Sequence, residues 1–549
     1  MMRRTLLLLV IVLPATAAAA RGAEAPAAAG AAVLQAEAFR HYVDRFNRDD
    51  EELYANIPNA NAWEFLKANI PLFECPDKDF ERTYYFRWWT YRKHVKQTPD
   101  GYVITEFLPK VPWSRKHNTI SCPAGHHFYE GRWLRDGKYL DDYAVFWFRK
   151  GGAPRQYSFW AADAIYARYL VTGSKALVLD LLADLVRNYE AWEKERLLPD
   201  GLFWQNDGQD GGEMSIGGSG LRATINSYMY GDAVGIARIA ELAGKADLAA
   251  QYRGKAARLK RLVQERLWDP EARFFKVLPR GEGARFADVR ELYGFTPWYF
   301  NLPEPGKGYE VAWKQVMDPQ GFYAPFGPTT AEQRHPKFAV SYQGHECQWN
   351  GPSWPYATAV TLTAMANLLN GPPQTAVGRK DYFDLLKIYT RCHRLTLEDG
   401  RVVPWIDENL NPATGDWIAR TRLKTWKNGT WDPGKGGKER GKDYNHSTYC
   451  DLVITGLAGL RPRADDTVEV NPLVPEGTWD WFCLDNVWYH GRILTIVWDK
   501  DGTRYGKGKG LRVFADGREI ARSEALGRIT GRLLPVPSLE SLGPPSPVG

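Results

Sequence analysis

The chain has 549 residues, of which 44% are hydrophobic and 13% aromatic, and its 71 Lys and Arg nearly balance 65 Asp and Glu. This composition can bury at least one large core and excludes disorder, collagen and coiled coil. The net charge of only +6 argues against a polyelectrolyte partner, so we expect no nucleic acid ligand. The 22 Trp and 28 Tyr suit the flat faces of sugars, although an aromatic-rich core gives the same count.

The N-terminal residues have the pattern of a secretory signal. Two arginines precede an apolar run at residues 6–13, and an alanine-rich stretch then satisfies the small-x-small cleavage rule. The run is shorter than the roughly 20 residues of a membrane helix, and no later segment is long and apolar enough to span a membrane. We therefore expect a signal peptide over residues 1–23, a flexible lead-in over 24–34, and a periplasmic or extracellular protein.

The six cysteines show no metal-binding spacing, and no metal is expected from them. Export permits disulfides, but the sequence does not pair these cysteines, and buried free thiols are an equally good interpretation.

Four segments carry apolar residues at helical spacing. They lie at residues 161–195, 227–268, 355–369 and 382–395. A Thr-Gly-Ser turn at residues 172–174 divides the first segment into two antiparallel helices. Helical hairpins with long Gly-, Pro- and Trp-rich connections indicate a mainly α fold, an (α/α)6 toroid over residues 35–461, because a closed ring buries both faces of each hairpin.

The texture changes after residue 461. β-forming residues alternate or cluster between Asp-Gly turns at residues 501–502 and 516–517, which predicts a small C-terminal antiparallel β-sandwich over residues 462–530. Residues 531–549 are rich in Pro, Ser and Gly, and we expect them to be disordered.

A loop with six glycines, at residues 207–220, carries three carboxylates. Asp207, Asp210 and Glu213 can approach a ligand closely there, because glycine removes side-chain obstruction from the backbone. A solvated loop or a calcium site with oxygen ligands is the alternative interpretation.

Two further segments contain candidate residues for carbohydrate chemistry. Asp407 and Glu408 form a second acidic site, for which a charged turn is the alternative. Trp349, Asn350 and Trp354 precede a predicted helix and can form a sugar platform, or they are structural aromatics.

A fourth segment combines aromatic and charged residues, and charge pairing at a helix start explains it equally well. Its members are Trp133, Arg135, Asp136, Asp141 and Asp142. His446 precedes an apolar segment predicted to be helical through Leu460, and such a histidine is more typical of a hydrogen-bonded loop than of a catalytic base.

Taken in order, these segments resemble the catalytic domain of inverting (α/α)6-barrel glycosidases, namely glycoside hydrolase family 63 and its mannosylglycerate-hydrolase-like and trehalase-like relatives. The resemblance covers residues 133–461. Its motifs are N-x-Y-x-Y at residues 226–230, L-W-D-P-E-x-x-F-F at 267–275, W-x-G-P-x-W-P at 349–355 and E-N-x-N-P-x-T-G at 408–415.

The resemblance implies an inverting glycoside hydrolase, in which one carboxyl protonates the leaving oxygen and one carboxylate activates water. It implies Asp210 as the general acid and Glu408 as the general base. Asp210 is followed by Gly-Gly-Glu where the family usually has Asn or Ser and then Arg, so Glu213 remains the alternative acid. The residues then expected to bind the sugar are Trp349, Asn350, Trp354, Trp204, Arg222, Arg135, Asp136 and Tyr228.

The implied substrate is an oligosaccharide, polysaccharide or glycoside with an α-linked gluco- or manno-configured sugar, and no cofactor is implied. Two other classes stay open. A polysaccharide lyase or sugar epimerase on the same toroid would use His345, His446 or Tyr228 as its base. A non-catalytic glycan-binding protein would keep the tryptophans and not need the carboxylates. The sequence does not indicate an oligomeric state.

Overall fold

The computed structural model describes residues 32–54, 56–281, 283–419 and 437–534. The expected signal peptide at residues 1–23 lies outside the described residues, as does the lead-in up to residue 31. Within the described ranges, no helix has the length and apolar character needed to cross a membrane.

The chain is mainly α-helical. Its α-helices are α1 (Arg40–Asp49), α2 (Ala62–Asn69), α3 (Lys78–His94), α4 (Ala124–Gly131), α5 (Lys138–Arg149), α6 (Ala161–Thr172), α7 (Ala176–Arg196), α8 (Ala223–Leu242), α9 (Ala246–Arg266), α10 (Thr296–Tyr299), α11 (Pro355–Asn370), α12 (Arg379–Cys392) and α13 (Cys450–Leu452). Short 3-10 segments occur at Ala36–Phe39, Asn59–Asn61, Lys116–Asn118, Gly208–Asp210, Leu292–Phe295, Tyr309–Gln315 and Gly437–Glu439.

The predicted helical hairpins are confirmed. Helices α6 and α7 are separated at Gly173, whose φ of 69° ends α6 in the left-handed conformation that glycine adopts freely. Helices α8 and α9 form the second hairpin, and α11 and α12 occupy the two later predicted segments. The segment after His446 differs from its prediction, because α13 continues as a π-helical turn at Val453–Leu457 and Leu460 already belongs to a strand.

The strands are short, except in the C-terminal region. They are β1 (Leu72–Glu74), β2 (Val95–Thr98), β3 (Gly101–Ile104), β4 (Trp204–Gln205), β5 (Gly220–Leu221), β6 (Trp268–Asp269), β7 (Phe274–Phe275), β8 (Arg394–Thr396), β9 (Val402–Pro404), β10 (Leu460–Arg461), β11 (Thr467–Val470), β12 (Trp481–Tyr489), β13 (Arg492–Asp499), β14 (Gly510–Ala515), β15 (Arg518–Ser523) and β16 (Ile529–Arg532). From β2 to β9 they pair successively as four two-stranded hairpins.

The C-terminal region contains two antiparallel sheets, as the alternating pattern predicts. One has the order β1-β12-β13-β14-β15 and the other β10-β11-β16. The turn at Asp516-Gly517 joins β14 to β15, with positive φ at both residues. The edge strand β1 comes from the N-terminal part of the chain, where the sequence pattern predicts helices alone.

Two predicted boundaries differ from the structure. Strand β16 runs to Arg532 and the side chain of Leu533 is buried, so the chain is ordered beyond residue 530, while residues 535–549 lie outside the described residues. At the other end, the carboxylate of Asp485 accepts hydrogen bonds from the backbone N–H groups of Val33 and Leu34, which holds the last residues of the expected lead-in against β12.

The core is rich in large aromatic side chains, which accounts for part of the Trp and Tyr count. The fully buried tryptophans include Trp88, Trp133, Trp147, Trp160, Trp192, Trp313 and Trp417. All six cysteines carry free thiols, so the open question of disulfide pairing is answered.

Candidate active site

A cavity of about 340 Å³ is lined by residues of five connections that each precede a helix. Its lining residues are Glu106, Phe107, Pro112, Trp113, Ile120, Cys122, Tyr157, Gly211, Glu213, His345, Glu346, Cys347, Trp349, Trp354, Tyr356, Glu408, Arg440, Tyr444 and His446. The connections lead into the first residues of α4, α6, α8, α11 and α13. The cavity therefore lies where the N-terminal ends of these helices come together, and it collects residues from across more than 300 positions of sequence.

The Gly-rich loop brings Glu213 to this cavity. Strands β4 and β5 pair antiparallel and close the base of the loop. Gly211 lines the cavity with a φ of 67°, and a Cβ there would lie 2.8 Å from the Sγ atom of Cys122. The backbone N–H of Trp349 donates to the carbonyl oxygen of Glu213 at 3.0 Å, which ties the loop to the tryptophan segment. The glycines are thus needed for close packing around the loop.

Asp210 occupies a different place, three residues earlier. Its side chain is buried and its Oδ2 atom accepts hydrogen bonds from Nε of Arg222 at 2.8 Å and from the hydroxyl of Thr224. Burial raises the pKa of Asp210, and the charge of Arg222 opposes that rise. Asp210 is not among the residues that line the cavity.

Arg222, expected to bond sugar hydroxyls, is fully buried at the start of α8. Its guanidinium also donates to Ser215 Oγ and to the carbonyl oxygen of Gly218. The Asp210–Arg222 pair therefore joins the two halves of the Gly-rich loop and fixes its shape.

Glu213 carries a carboxyl without a cationic partner among the described residues. Burial raises its pKa to about 8, and the negative charges of Glu408 and Asp207 add to the rise. A carboxyl with this pKa is protonated at neutral pH and can donate its proton. Of the two acids that the sequence left open, Glu213 is the one that faces the cavity.

Glu408 has the opposite electrostatic environment. Its Oε1 atom accepts a hydrogen bond from Nη2 of Arg440 at 2.9 Å, and the Sγ atom of Cys347 lies at 3.6 Å from the same oxygen. Arg440 also binds Oε1 of Glu346 at 2.8 Å. The Oε2 atom of Glu408 is buried and has no hydrogen-bond partner in the described part of the chain. A carboxylate with one oxygen fixed and one unpaired can accept a proton from water.

The predicted aromatic platform forms a stack of three rings. Trp349 is parallel to Trp354 with ring centroids 4.4 Å apart, and parallel to Tyr293 at 4.9 Å. Tyr293 and Trp354 do not stack on each other, so they cover opposite faces of Trp349. Both tryptophans line the cavity, but Trp349 can present only its edge to a ligand.

The other sugar-binding residues expected from the sequence lie away from the cavity lining. Asn350 and Tyr228 are buried: the Asn350 amide oxygen accepts from Gln348 at 3.0 Å, and the Tyr228 ring packs on Trp160 at 4.7 Å. Trp204 lies between the guanidinium groups of Arg196 and Arg280, at 5.3 and 5.0 Å.

Arg135 and Asp136, in the segment before α5, also do not line the cavity. Arg135 donates a hydrogen bond to the side chain of Asn486 in the C-terminal sheet. Asp136 forms an ion pair with Lys138 at 3.1 Å and accepts from the Lys138 backbone N–H. Asp136 therefore fits the alternative interpretation of this segment, which is charge pairing at the start of a helix.

The three candidate bases of a lyase or epimerase are divided between the cavity and the core. His345 and His446 line the cavity, whereas Tyr228 does not. Burial lowers the pKa of His446 well below its ordinary value, so the ring is neutral. Its Nε2 atom lies 3.2 Å from the carbonyl oxygen of Glu408.

Sequence reasoning missed Glu106, Arg440 and Tyr444, which all line the cavity. Arg440 and Tyr444 precede His446 in a segment that was noted for its histidine, so a basic and aromatic signal was present. Glu106 carries no motif and lies at the end of a hairpin that the helical pattern does not predict.

Comparison with known families identifies a glycoside hydrolase domain in this chain. The model of the mannosylglycerate hydrolase MGH1-like glycoside hydrolase domain matches residues 116–447. The chain belongs to this family, which confirms the resemblance found in the sequence. Residues 460–522 match the C-terminal domain of glycosyl hydrolase family 65.

Solved structures provide further similarity. A protein called "Sialidase" is 47% identical, with a TM-score of 0.84 over 91% of this chain and 45% of its own. This chain thus spans less than half the length of that protein. A family 78 rhamnosidase of a Bacillus species is 13% identical, with a TM-score of 0.52 over 81% of this chain and 41% of its own, and shares the fold. A family 63 mannosylglycerate hydrolase from Thermus thermophilus is 12% identical, with a TM-score of 0.43 over 76% of this chain and 99% of its own.

Proposed function

We propose that this chain hydrolyses a glycosidic bond with inversion, with Glu213 as the general acid and Glu408 as the general base. One observation carries the proposal: two carboxyl groups with opposite electrostatic environments line one cavity. Glu213 is half-buried and has no cationic partner among the described residues, and Glu408 forms an ion pair with Arg440. Such a division of acid and base between two carboxyl groups is what glycoside hydrolysis needs.

In this proposal the general acid is Glu213 rather than Asp210. The proton of the Glu213 carboxyl passes to the glycosidic oxygen as the bond to the anomeric carbon breaks. Asp210 accepts hydrogen bonds from Arg222 and Thr224 through Oδ2 and does not line the cavity, which favours Glu213 as the acid.

The base step assigns Glu408. The unpaired Oε2 atom takes a proton from a water molecule, and that water attacks the anomeric carbon from the face opposite the leaving group. Arg440 holds the other oxygen and compensates the negative charge of the carboxylate. Inversion requires the two carboxyl groups to be about 6.5–9.5 Å apart, with the water and the sugar between them.

The architecture supports a closed ring of helical hairpins, the (α/α)6 toroid, with the catalytic domain over residues 35–461. Five connections that precede helices converge on one cavity, as expected where such a ring gathers its loops at one mouth. In this proposal the two C-terminal sheets support the ring, and residues 1–23 direct export.

The cavity suits a small sugar unit. Its volume of about 340 Å³ is near the lower end of the range of about 300–1,000 Å³ for small-molecule sites. Among the lining residues that the structure describes, Arg440 is the one Lys or Arg, and Glu346 and Glu408 both bind it. A sialic acid needs an available cation for its carboxylate, so we favour an uncharged sugar, in keeping with an α-linked gluco- or manno-configured unit.

Proton NMR of the reaction tests this proposal. A panel of α- and β-glycosides of glucose, mannose and rhamnose, with a sialoside, is incubated with the enzyme, and the first-formed anomer is recorded before mutarotation. We expect the anomer of inverted configuration from an uncharged glycoside. Asp136→Asn, a carboxyl outside the cavity lining that pairs with Lys138, is the control for Glu213→Gln and Glu408→Gln.

Other outcomes identify the alternatives. A retained anomer would contradict the inverting mechanism, and an unsaturated or epimeric product would favour a lyase or epimerase. Unchanged glycan affinity without any product, in the parent chain and in both glutamine variants, would favour a glycan-binding protein.

A further inference from the structure

A further glutamate, Glu106, faces the same cavity from outside the segment matched by the family model. It follows the β2–β3 hairpin and precedes residue 116, where that match begins. Glu106 lines the cavity together with Glu213 and Glu408, although only 6% of the surface of Glu106 is exposed.

The backbone around Glu106 is bound tightly to the segment that leads into α13. The carbonyl oxygen of Glu106 accepts from the backbone N–H of Asn445 at 3.1 Å, and the carbonyl oxygen of Thr105 accepts from the Asn445 amide at 3.2 Å. The Nε2 atom of His94 lies 2.7 Å from the carbonyl oxygen of Asp443. Two chain segments more than 300 residues apart thereby fix the position of the Glu106 side chain.

Among the described residues, the carboxyl of Glu106 has one hydrogen-bond partner. The hydroxyl of Tyr444 donates a hydrogen bond to Oε1, and among the described residues no Lys, Arg or His lies within ion-pair distance. Oε2 makes no hydrogen bond with the described part of the chain. One carboxyl oxygen is therefore held by the protein and the other is available to a ligand.

The electrostatic environment favours the protonated form of this group. Burial raises the pKa of Glu106 to about 8, the hydrogen bond from Tyr444 opposes the rise, and the charge of Glu408 adds to it. A protonated carboxyl has an O–H donor, and the natural acceptor in a sugar site is a hydroxyl oxygen.

We propose that Glu106 is a substrate-binding residue that hydrogen-bonds a hydroxyl of the sugar unit in the cavity, with Tyr444 as the positioning residue that orients its carboxyl. The proposal rests on the proposed function, because it places a sugar between Glu106 and the catalytic pair. It extends the substrate-binding site beyond the family-matched segment to the β2–β3 hairpin.

The test is a thermodynamic cycle between Glu106 and the sugar hydroxyls. The chain is compared with Glu106→Gln, Glu106→Ala and Tyr444→Phe on 4-nitrophenyl glycosides of glucose, mannose and their 2-, 3-, 4- and 6-deoxy forms. Glutamine keeps a donor at the same position, so we expect its KM to stay within about threefold of the parent value. Alanine should raise KM about 10- to 100-fold with a smaller change in kcat.

For one deoxy sugar, the parent chain and Glu106→Ala should have the same KM, because that sugar lacks the hydroxyl that Glu106 binds. The position of the missing hydroxyl then identifies the contact. Tyr444→Phe should raise KM for the same hydroxyl less than Glu106→Ala does. If Glu106 had a purely structural role, Glu106→Ala would change KM by the same factor for all sugars. A KM of Glu106→Ala equal to that of the parent chain would show that Glu106 does not contact the substrate. Either result overturns the proposal.

Calorimetric binding separates this proposal from the proposed function. Glucose and mannose are titrated into Glu408→Gln and into Glu408→Gln with Glu106→Ala, which reports the contact without catalysis. A weaker affinity in the double variant supports Glu106 binding even where hydrolysis proceeds by another pair. Loss of activity in Glu106→Gln that a better leaving group restores would instead make Glu106 the general acid and overturn its binding role.

Discussion

At the scale of single residues, two acids three positions apart in one loop have different environments. Asp210 is bound by a buried arginine and stabilises the loop, whereas Glu213 faces the cavity without a cation. The sequence alone does not distinguish the two acids, because both are carboxylic side chains in the same Gly-rich loop. The difference arises from Arg222 at the start of α8, which reaches back into the loop.

Glu213→Gln should lower the rate on natural glycosides by about 10²–10⁴-fold and leave folding intact, because glutamine has no proton to give to the leaving oxygen. Asp210→Asn should act on stability instead. Breaking a buried ion pair costs about 3–5 kcal/mol, since Arg222 would remain buried beside a neutral amide.

Steady-state rates and urea unfolding of the two variants distinguish these effects. A glycosyl fluoride should restore much of the Glu213→Gln activity, because fluoride leaves without protonation. An Asp210→Asn variant of normal stability with the larger loss of rate would move the acid back to Asp210.

The rate should fall at alkaline pH. In the proposed mechanism the acid form of Glu213 is the active one, so we expect kcat to be at its full value below pH about 8 and to be lost as the pH rises through the pKa of Glu213, which is about 8. A pH profile of kcat measures this, with Glu106→Gln as control, because Glu106 has a similar pKa but no assigned proton transfer. Persistence of the alkaline limb in Glu213→Gln would show that another group titrates.

Trp349→Ala should lower stability more than it weakens substrate binding. Rings cover both faces of Trp349, so its removal leaves a cavity and costs about 3–5 kcal/mol of folding free energy. Trp113→Ala is the matched comparison, because this ring lines the site and is only partly buried, below the Arg440 guanidinium at 4.7 Å. Thermal unfolding and KM of both variants decide the matter, and a normal Tm with a raised KM for Trp349→Ala would make it the platform.

At the scale of elements, strand β1 links the N-terminal helices to the C-terminal sheet. It pairs with β12, with Leu72 opposite Asp485 and Glu74 opposite Cys483. Asp485 also accepts the backbone N–H groups of Val33 and Leu34. The sheet is thus part of the packing of the N-terminal segment, although about 400 residues of chain lie between them.

A chain ending at residue 461 should therefore fail to fold. Strand β1 would lose its neighbour, and the apolar residues that pack on the sheet would become exposed. Solubility and far-UV circular dichroism of this truncation measure the effect. The matched control ends at residue 534 and keeps both sheets, and a soluble, active 1–461 fragment would contradict the prediction.

At the scale of the whole molecule, the cavity depends on the convergence of distant connections. The carboxyl groups of Glu213 and Glu408 are separated by almost 200 residues, and Glu106 by a further 100. The positions of these three residues along the chain do not indicate that they meet in the folded protein. Helical periodicity located α6 to α9, α11 and α12 because each helix has its own apolar pattern.

The local pattern of apolar and polar residues did not predict helices that are buried on all sides or very short strands. Helix α3 is buried on nearly all sides, so its sequence has no alternation between apolar and polar faces. Short strands such as β1 and β2 have too few residues for a periodic signal. Arg135, Asp136 and Trp204 are residue types that often bind sugars. In the structure, remote neighbours engage Arg135 and Trp204, and Asp136 pairs locally with Lys138.

The sequence by itself determined the class of fold, the family, and the segments that hold the two catalytic candidates, because helix periodicity and motifs are local properties of the chain. Tertiary structure alone decided which acid faces the cavity, that Trp349 is covered on both faces, and that Glu106 joins the site. The physical reason is that proton affinity and accessibility depend on the distance to other charges and on burial, and both are created when remote segments pack together.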